Sequence, residues 1–128
     1  MRQIVHSSDA PQAIGPYSQA VRVGQMVYLS GQIGIDPKTG DLVGPDVSQQ
    51  AIQVFENLSA VAKAAGGAFS NVIKLTIYLT DMLDYPIIND VMARYVASPY
   101  PARVCFSVTG LPMADRVEVD AMMVLPGE

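Results

Sequence analysis

Tryptophan is absent from this chain of 128 residues, cysteine and histidine occur once each, and aromatic residues make up 7%. A single cysteine, Cys105, excludes an internal disulfide and points to a reducing compartment. One histidine (His6) and one cysteine supply no ligand cluster, so no metal site is expected. His6 reads as a surface residue on an edge strand. Basic runs are also missing. Eight Lys and Arg are scattered among 12 Asp and Glu, for a net charge of -4, whereas nucleic-acid affinity rests largely on clustered cations facing phosphates. The apolar runs are too short to span a bilayer. The segment Met1 to Gln19 has neither an apolar signal core nor the Arg-rich, acid-free pattern of a transit peptide. These absences lead to the expectation of a soluble cytoplasmic protein that does not act on membranes or nucleic acids.

Half of the residues are apolar, enough for one domain over residues 1–128 with a core of Val, Ile, Leu, Ala and Met. A short edge strand is expected within Met1 to His6, followed by a loop broken by Pro11, Gly15 and Pro16. Ser18 to Val23 and Met26 to Ser30 read as a hairpin turning at Gly24-Gln25. Asp46 is a suitable N-cap for a helix over Val47 to Ala65, whose face carries Val47, Ala51, Phe55, Leu58, Ala62 and Ala65. Gly66-Gly67 ends it.

Val72 to Thr80 alternates, with Ile73, Leu75, Ile77 and Leu79 on the apolar side. Asp84 to Ala97 predicts a second helix, with Pro86 tolerated in its first turn. Arg103 to Val108 and Val117 to Leu125 complete the strands. The order predicts an α+β fold, a mixed sheet with two helices packed on one face.

The alternation assigns Val104, Phe106 and Val108 to the core, and Arg103 and Cys105 to the opposite face with Thr76, Tyr78, Glu118, Asp120 and Met122. Mixed charge and apolar area on that face predicts self-association. If the last two strands are antiparallel neighbours, Arg103 and Glu118 come within reach of each other on it. Two readings of the pair stand: a cross-strand ion pair, or an arginine that grips an anionic substrate while the glutamate handles water or a proton. Cys105 beside Arg103 invites a nucleophilic role, but no base partner is in sight, so it is read as cleft lining.

The stretches "AIGPYSQAV", "YLSGQIGIDPKTGDLVG", "NVIKLTIYLTDM", "PARVCFSV" and "LPMADRVEVDAMMV" run in order through nearly the whole chain. Together they resemble the Rid family of reactive intermediate deaminases, also called YjgF proteins. The resemblance implies a bacillary chorismate-mutase-like fold, a homotrimer with clefts between subunits, and no cofactor. It implies hydrolysis of enamines and imines of the 2-aminoacrylate and 2-iminobutanoate type to 2-oxo acids and ammonia. Carried over by position, Arg103 would bind the substrate carboxylate and Glu118 would orient or activate water. Tyr17 and Ser30 would line the cleft with hydroxyls, unless these only satisfy backbone groups. Gly31 would bring its backbone close to ligand, Asn89 falls near a family asparagine, and Cys105 matches the cysteine of the deaminase-active subgroup. Met92 stands where the family often has tyrosine. Two further functions are weighed beside deamination: a non-catalytic regulator that binds 2-oxo acids, and an endoribonuclease.

Overall fold

The computed structural model describes residues 1–127. Its strands are β1 (Gln3–Val5), β2 (Ala20–Val23), β3 (Met26–Gln32), β4 (Val72–Leu79), β5 (Ala102–Ser107) and β6 (Val117–Val124). The helices are α1 (Val47–Ala64) and α2 (Tyr85–Met92). The six strands form one sheet in the order β1-β2-β3-β6-β4-β5. Among the described residues only the β4–β5 pair is parallel, so the sheet is mixed as expected.

Local chemistry sets most boundaries. Gly24 takes a positive φ of 61° between Val23 and Met26, which allows the two-residue turn joining β2 to β3. The Asp46 carboxylate accepts from the amides of Ser48 at 2.7 Å and Gln49 at 3.4 Å, satisfying donors that α1 leaves open. The same helix ends where Gly66 turns to a φ of 100° and its amide bonds back to the Lys63 carbonyl.

One face of the sheet packs on the helices. Val54, Phe55, Leu58 and Val61 of α1 are fully buried against Leu75, Ile77, Val119 and Met123. Each such side chain contributes about 1.5–3 kcal/mol by leaving water. Ile88, Val91 and Met92 bring α2 onto the same face.

Several expectations require correction. The second helix stops at Met92 instead of running to Ala97. Ile73 is 43% exposed, and Val72 takes the inward place, because the β4–β6 register shifts between Val72 and Lys74. Such an irregularity flips the parity of every earlier residue. The larger correction concerns β5. Arg103 pairs with Leu75 and Cys105 with Ile77, both inward residues, so Arg103 and Cys105 face the helix layer. Val104 and Phe106, 45% and 42% exposed, lie on the open face beside Thr76 and Tyr78. Val108 falls beyond the end of the strand and is half-buried.

The open face is therefore more apolar than expected. It carries Tyr28, Tyr78, Val104, Phe106 and Met122, with Glu118 and Asp120 among them. The Tyr78 and Phe106 rings meet edge to face at 5.1 Å. Tyr78 donates to Asp120 at 2.8 Å, and this bond, with burial and the nearby acids, pushes the phenol up to about 12.

Candidate functional site

Arg103 stands on β5 at the edge of the sheet and reaches under α2. Its Nη1 donates to Asn89 Oδ1 at 2.6 Å and to Met92 Sδ at 3.6 Å. Its Nη2 donates to the Tyr85 hydroxyl, and its guanidinium carbon lies 5.2 Å from the centre of the Tyr85 ring. Tyr85, Asn89 and Met92 follow at the i, i+4, i+7 spacing of one helical stripe, so α2 presents a preformed bed to the guanidinium. Every one of these partners is neutral. Among the described residues no carboxylate pairs with Arg103. The half-buried cation opens on a pocket of ≈ 460 Å³ lined also by Ala93, Val96, Tyr100 and Pro101. A planar cation fixed in this way, with free N–H groups, is built to take a carboxylate in two-point fashion.

Glu118 stands on the open face near the start of β6. Its side chain lies directly over Gly31, where a Cβ would overlap Oε2. Gly31 falls in the register shift between Leu29 and Gln32 that interrupts the β3–β6 ladder. A glycine there gives the carboxyl group its space. Burial first, then the charges of Asp120 and Asp115, raises the Glu118 carboxyl above the usual carboxylate range. The group sits in a second pocket, of ≈ 490 Å³, with Tyr17, Ser30, Ile14, Ile33 and Met113.

The loop from Ser8 to Ser18 carries Tyr17, and buried Gln19 staples that loop in place. Its Oε1 accepts from the Ser7 amide at 2.6 Å, and its Nε2 donates to the Ser7 and Pro11 carbonyls at 3.1 and 2.8 Å. The Ser30 hydroxyl donates to the Ser18 carbonyl at 2.6 Å, so one predicted backbone role is real. Its oxygen keeps lone pairs that can accept from a ligand N–H. Tyr17 is exposed, with its phenol at the pocket wall.

The predicted residues thus form two groups. Tyr17, Ser30, Gly31 and Glu118 come together, as do Asn89 and Arg103. The expected contact between Arg103 and Glu118 within one chain does not occur. β4 separates their strands, and the two side chains leave the sheet on opposite faces. The cross-strand ion pair is thereby excluded within the chain.

Cys105 packs partly against the core, and burial raises its thiol pKa more than Arg103 lowers it. That environment opposes thiolate chemistry. Among the described residues, no three His, Cys, Asp or Glu side chains are grouped to hold a metal ion. Sequence reasoning did not find Tyr85, Gln19 or the apolar wall of Ile14, Ile33 and Met113. The Tyr85–Asn89–Met92 stripe was the available signal for the first of these.

Comparison with known proteins places the chain in a family. The family model described as endoribonuclease L-PSP matches residues 7–125. The 2-iminobutanoate/2-iminopropanoate deaminase of Bos taurus is 45% identical over 124 residues, covering 97% of this chain and 90% of that protein. Protein DfrA of Myxococcus xanthus is 50% identical over 125 residues, covering 96% of this chain and 95% of that protein. The crystal structure of RidA from the Antarctic bacterium Psychrobacter superposes with a TM-score of 0.93 at 42% identity, covering 96% of this chain and 99% of that one. A family match across nearly the whole chain, shared sequence and shared fold converge, and the chain belongs to the endoribonuclease L-PSP family, the Rid (YjgF) family that its motifs resemble.

Proposed function

We propose that the protein hydrolyses reactive enamines and imines of 2-amino acids, of the 2-aminoacrylate and 2-iminobutanoate type, to 2-oxo acids and ammonia. The observation that carries this reading is Arg103, a half-buried cation oriented by three neutral partners and, among the described residues, left without an acid of its own. The deaminase name of a relative 45% identical supports the same reaction class.

In this reading Arg103 holds the substrate carboxylate, while Tyr17 and Ser30 meet the nitrogen and the water. Glu118, with its raised proton affinity, takes a proton from water as the oxygen adds to the imine carbon. It returns that proton to the nitrogen of the carbinolamine, and as the C–N bond breaks it takes the hydroxyl proton while the C=O bond forms. That second proton leaves with ammonia as ammonium, which restores the carboxylate. A protonated imine is already electrophilic, so positioning and one proton shuttle suffice. The Cys105 thiol packs against the core on the same strand as Arg103, outside the lining of the Arg103 pocket, and forms no covalent bond.

The two half-sites of one chain lie on opposite faces of the sheet, which supports a cleft completed by a second copy: Arg103 and Asn89 from one subunit, Glu118, Tyr17, Ser30 and Gly31 from its neighbour. The open apolar face supports a homotrimer as the form that brings them together.

The test couples the protein to a threonine dehydratase and follows 2-oxobutyrate. Wild type accelerates its appearance, and Arg103→Ala falls to the rate without protein, a loss of two orders of magnitude or more, on the order of what a lost charge anchor costs. A wild-type rate equal to the blank contradicts the reading. In that case, tight binding of 2-oxobutyrate by calorimetry would establish the regulator instead. The family's description as an endoribonuclease is tested with the same variants: cleavage of RNA abolished by both Arg103→Ala and Glu118→Ala would place that activity in this site. The net charge of -4 argues against it.

A further inference from the structure

The Glu118 pocket has two walls that come from distant parts of the chain. Ile33 and Ile35 form one, and Pro112 and Met113 form the other. Behind them lies Asp115, only 1% exposed and assigned no role by any motif. Its Oδ2 accepts from the Gly34 amide at 2.7 Å. Its Oδ1 accepts from the amides of Arg116 at 2.6 Å and Val117 at 3.3 Å. Gly34 is the residue between the two wall isoleucines, and Arg116 and Val117 lead directly into Glu118.

The turn that enters Asp115 is strained. Met113 and Ala114 take φ of 58° and 56°, a left-handed pair with no glycine in it. Such a conformation persists where surrounding contacts over-determine it, and it is found preferentially at functional walls. Here the Asp115 amide also bonds the Pro112 carbonyl at 3.1 Å, closing the turn from the other side. The charge matters as well as the shape. Asparagine has a single acceptor oxygen and would set an amide N–H₂ against one of the two walls, whereas a carboxylate accepts from both.

We propose that Asp115 is a positioning residue for Glu118, its buried carboxylate clasping the 33–35 segment to the 112–116 turn and so fixing the pocket wall at Met113 and the path of the chain into the glutamate. The proposal rests on the deaminase reading for its catalytic meaning, though not for its structural test. Burial raises the Asp115 carboxyl while the three amides hold it back, and the Asp115 charge in turn adds to the raised proton affinity of Glu118. The other groups facing Glu118 are Asp120 on its own strand, Tyr78 across on β4 and Tyr17 from the loop before β2. The nearby Arg116 cation is engaged by Asp84.

The experiment compares wild type, Asp115→Asn, Asp115→Ser and Glu118→Gln as full chains, with side-chain carboxyl titrations by carbon-13 NMR and kcat and KM over pH in the coupled assay. In either Asp115 variant, the Glu118 midpoint moves to lower pH by several tenths of a unit and kcat falls about tenfold, with the acidic limb of the rate profile following the midpoint. Glu118→Gln, which leaves the buried clasp intact, leaves the Asp115 midpoint where it is in wild type, because Glu118 is still protonated while Asp115 titrates. An unmoved Glu118 midpoint, or a kcat within twofold of wild type in the folded Asp115 variants, would overturn the proposal and leave Asp115 as a mere loop anchor. If wild type has no deaminase activity, the deaminase reading fails by itself, and the two titrations still decide whether Asp115 and Glu118 are coupled.

Discussion

Arg103 and Glu118 differ in how their surroundings prepare them. The arginine is held by neutral groups that leave its charge uncompensated, so in the proposed reaction a substrate carboxylate would meet a cation without first displacing an acid. The glutamate is pressed against glycine backbone beside two other acids, which makes its ionised form costly. A carboxyl whose pKa is raised on folding binds protons more tightly in the folded state. Its stability cost is therefore absent below the unfolded pKa and grows as pH rises through the folded one. Glu118→Gln should consequently melt higher than wild type at pH 7 and level with it near pH 4, while deaminase activity falls about 10²–10⁴-fold. Thermal melts at the two pH values check this. A variant less stable than wild type at pH 7 would mean that the carboxylate is stabilising where it lies.

At the scale of elements, the site depends on how α2 is anchored to β6. Buried Asp84, at the α2 N-terminus, pairs with Arg116 through bonds of 2.7 and 3.2 Å, and the Arg116 amide bonds Gln50 of α1 at 2.9 Å. These contacts tie the bed of Arg103 to the strand that carries Glu118. Arg116→Ala leaves the Asp84 carboxylate buried without its cation and should cost about 1–3 kcal/mol in urea unfolding. A change below a few tenths would show that the bridge is only a surface pair.

The elements were also where the sequence was legible to different depths. The α1 stripe from Val47 to Ala62 and the inward set of β6 read correctly, because one face of each is buried and the other is not. β5 did not, since alternation reveals two sets of residues without saying which set faces the helices. Val104 and Phe106 are apolar on the open face, so the usual rule that the greasier side is the inner one fails there. The insertion of β4 between β5 and β6 was equally hidden, as the short connection from Ser107 to Val117 fits a hairpin as well as a split pair. Tyr17, Ser30, Gly31 and Glu118 were legible as a group through their motifs, whereas Gln19 and Asp115 act by hydrogen bonds to distant backbone and carry no periodic signal.

For the whole molecule, the open face explains both what the core lacks and what the site needs. Tyr28, Val104 and Phe106 remain exposed in one chain, and among the described residues no element covers them. Burying this face between copies would remove them from water and bring the Arg103 edge of one subunit toward the Glu118 pocket of the next. Phe106→Asp places a charge in that contact and should convert a species of about three times the 13.7 kDa chain mass into monomer in analytical ultracentrifugation, with loss of activity. An unchanged mass would assign the contact to another surface.

The central claim is that one active site draws on two subunits, and subunit mixing tests it most directly. Arg103→Ala and Glu118→Ala, each inactive alone, are unfolded together in equal amounts, refolded and assayed for 2-oxobutyrate release. If Arg103 of one copy works with Glu118 of the next, every mixed trimer contains one intact site, and the mixture recovers about a quarter of wild-type activity. A mixture no more active than its parents, with mixed trimers verified by mass, would contradict the account.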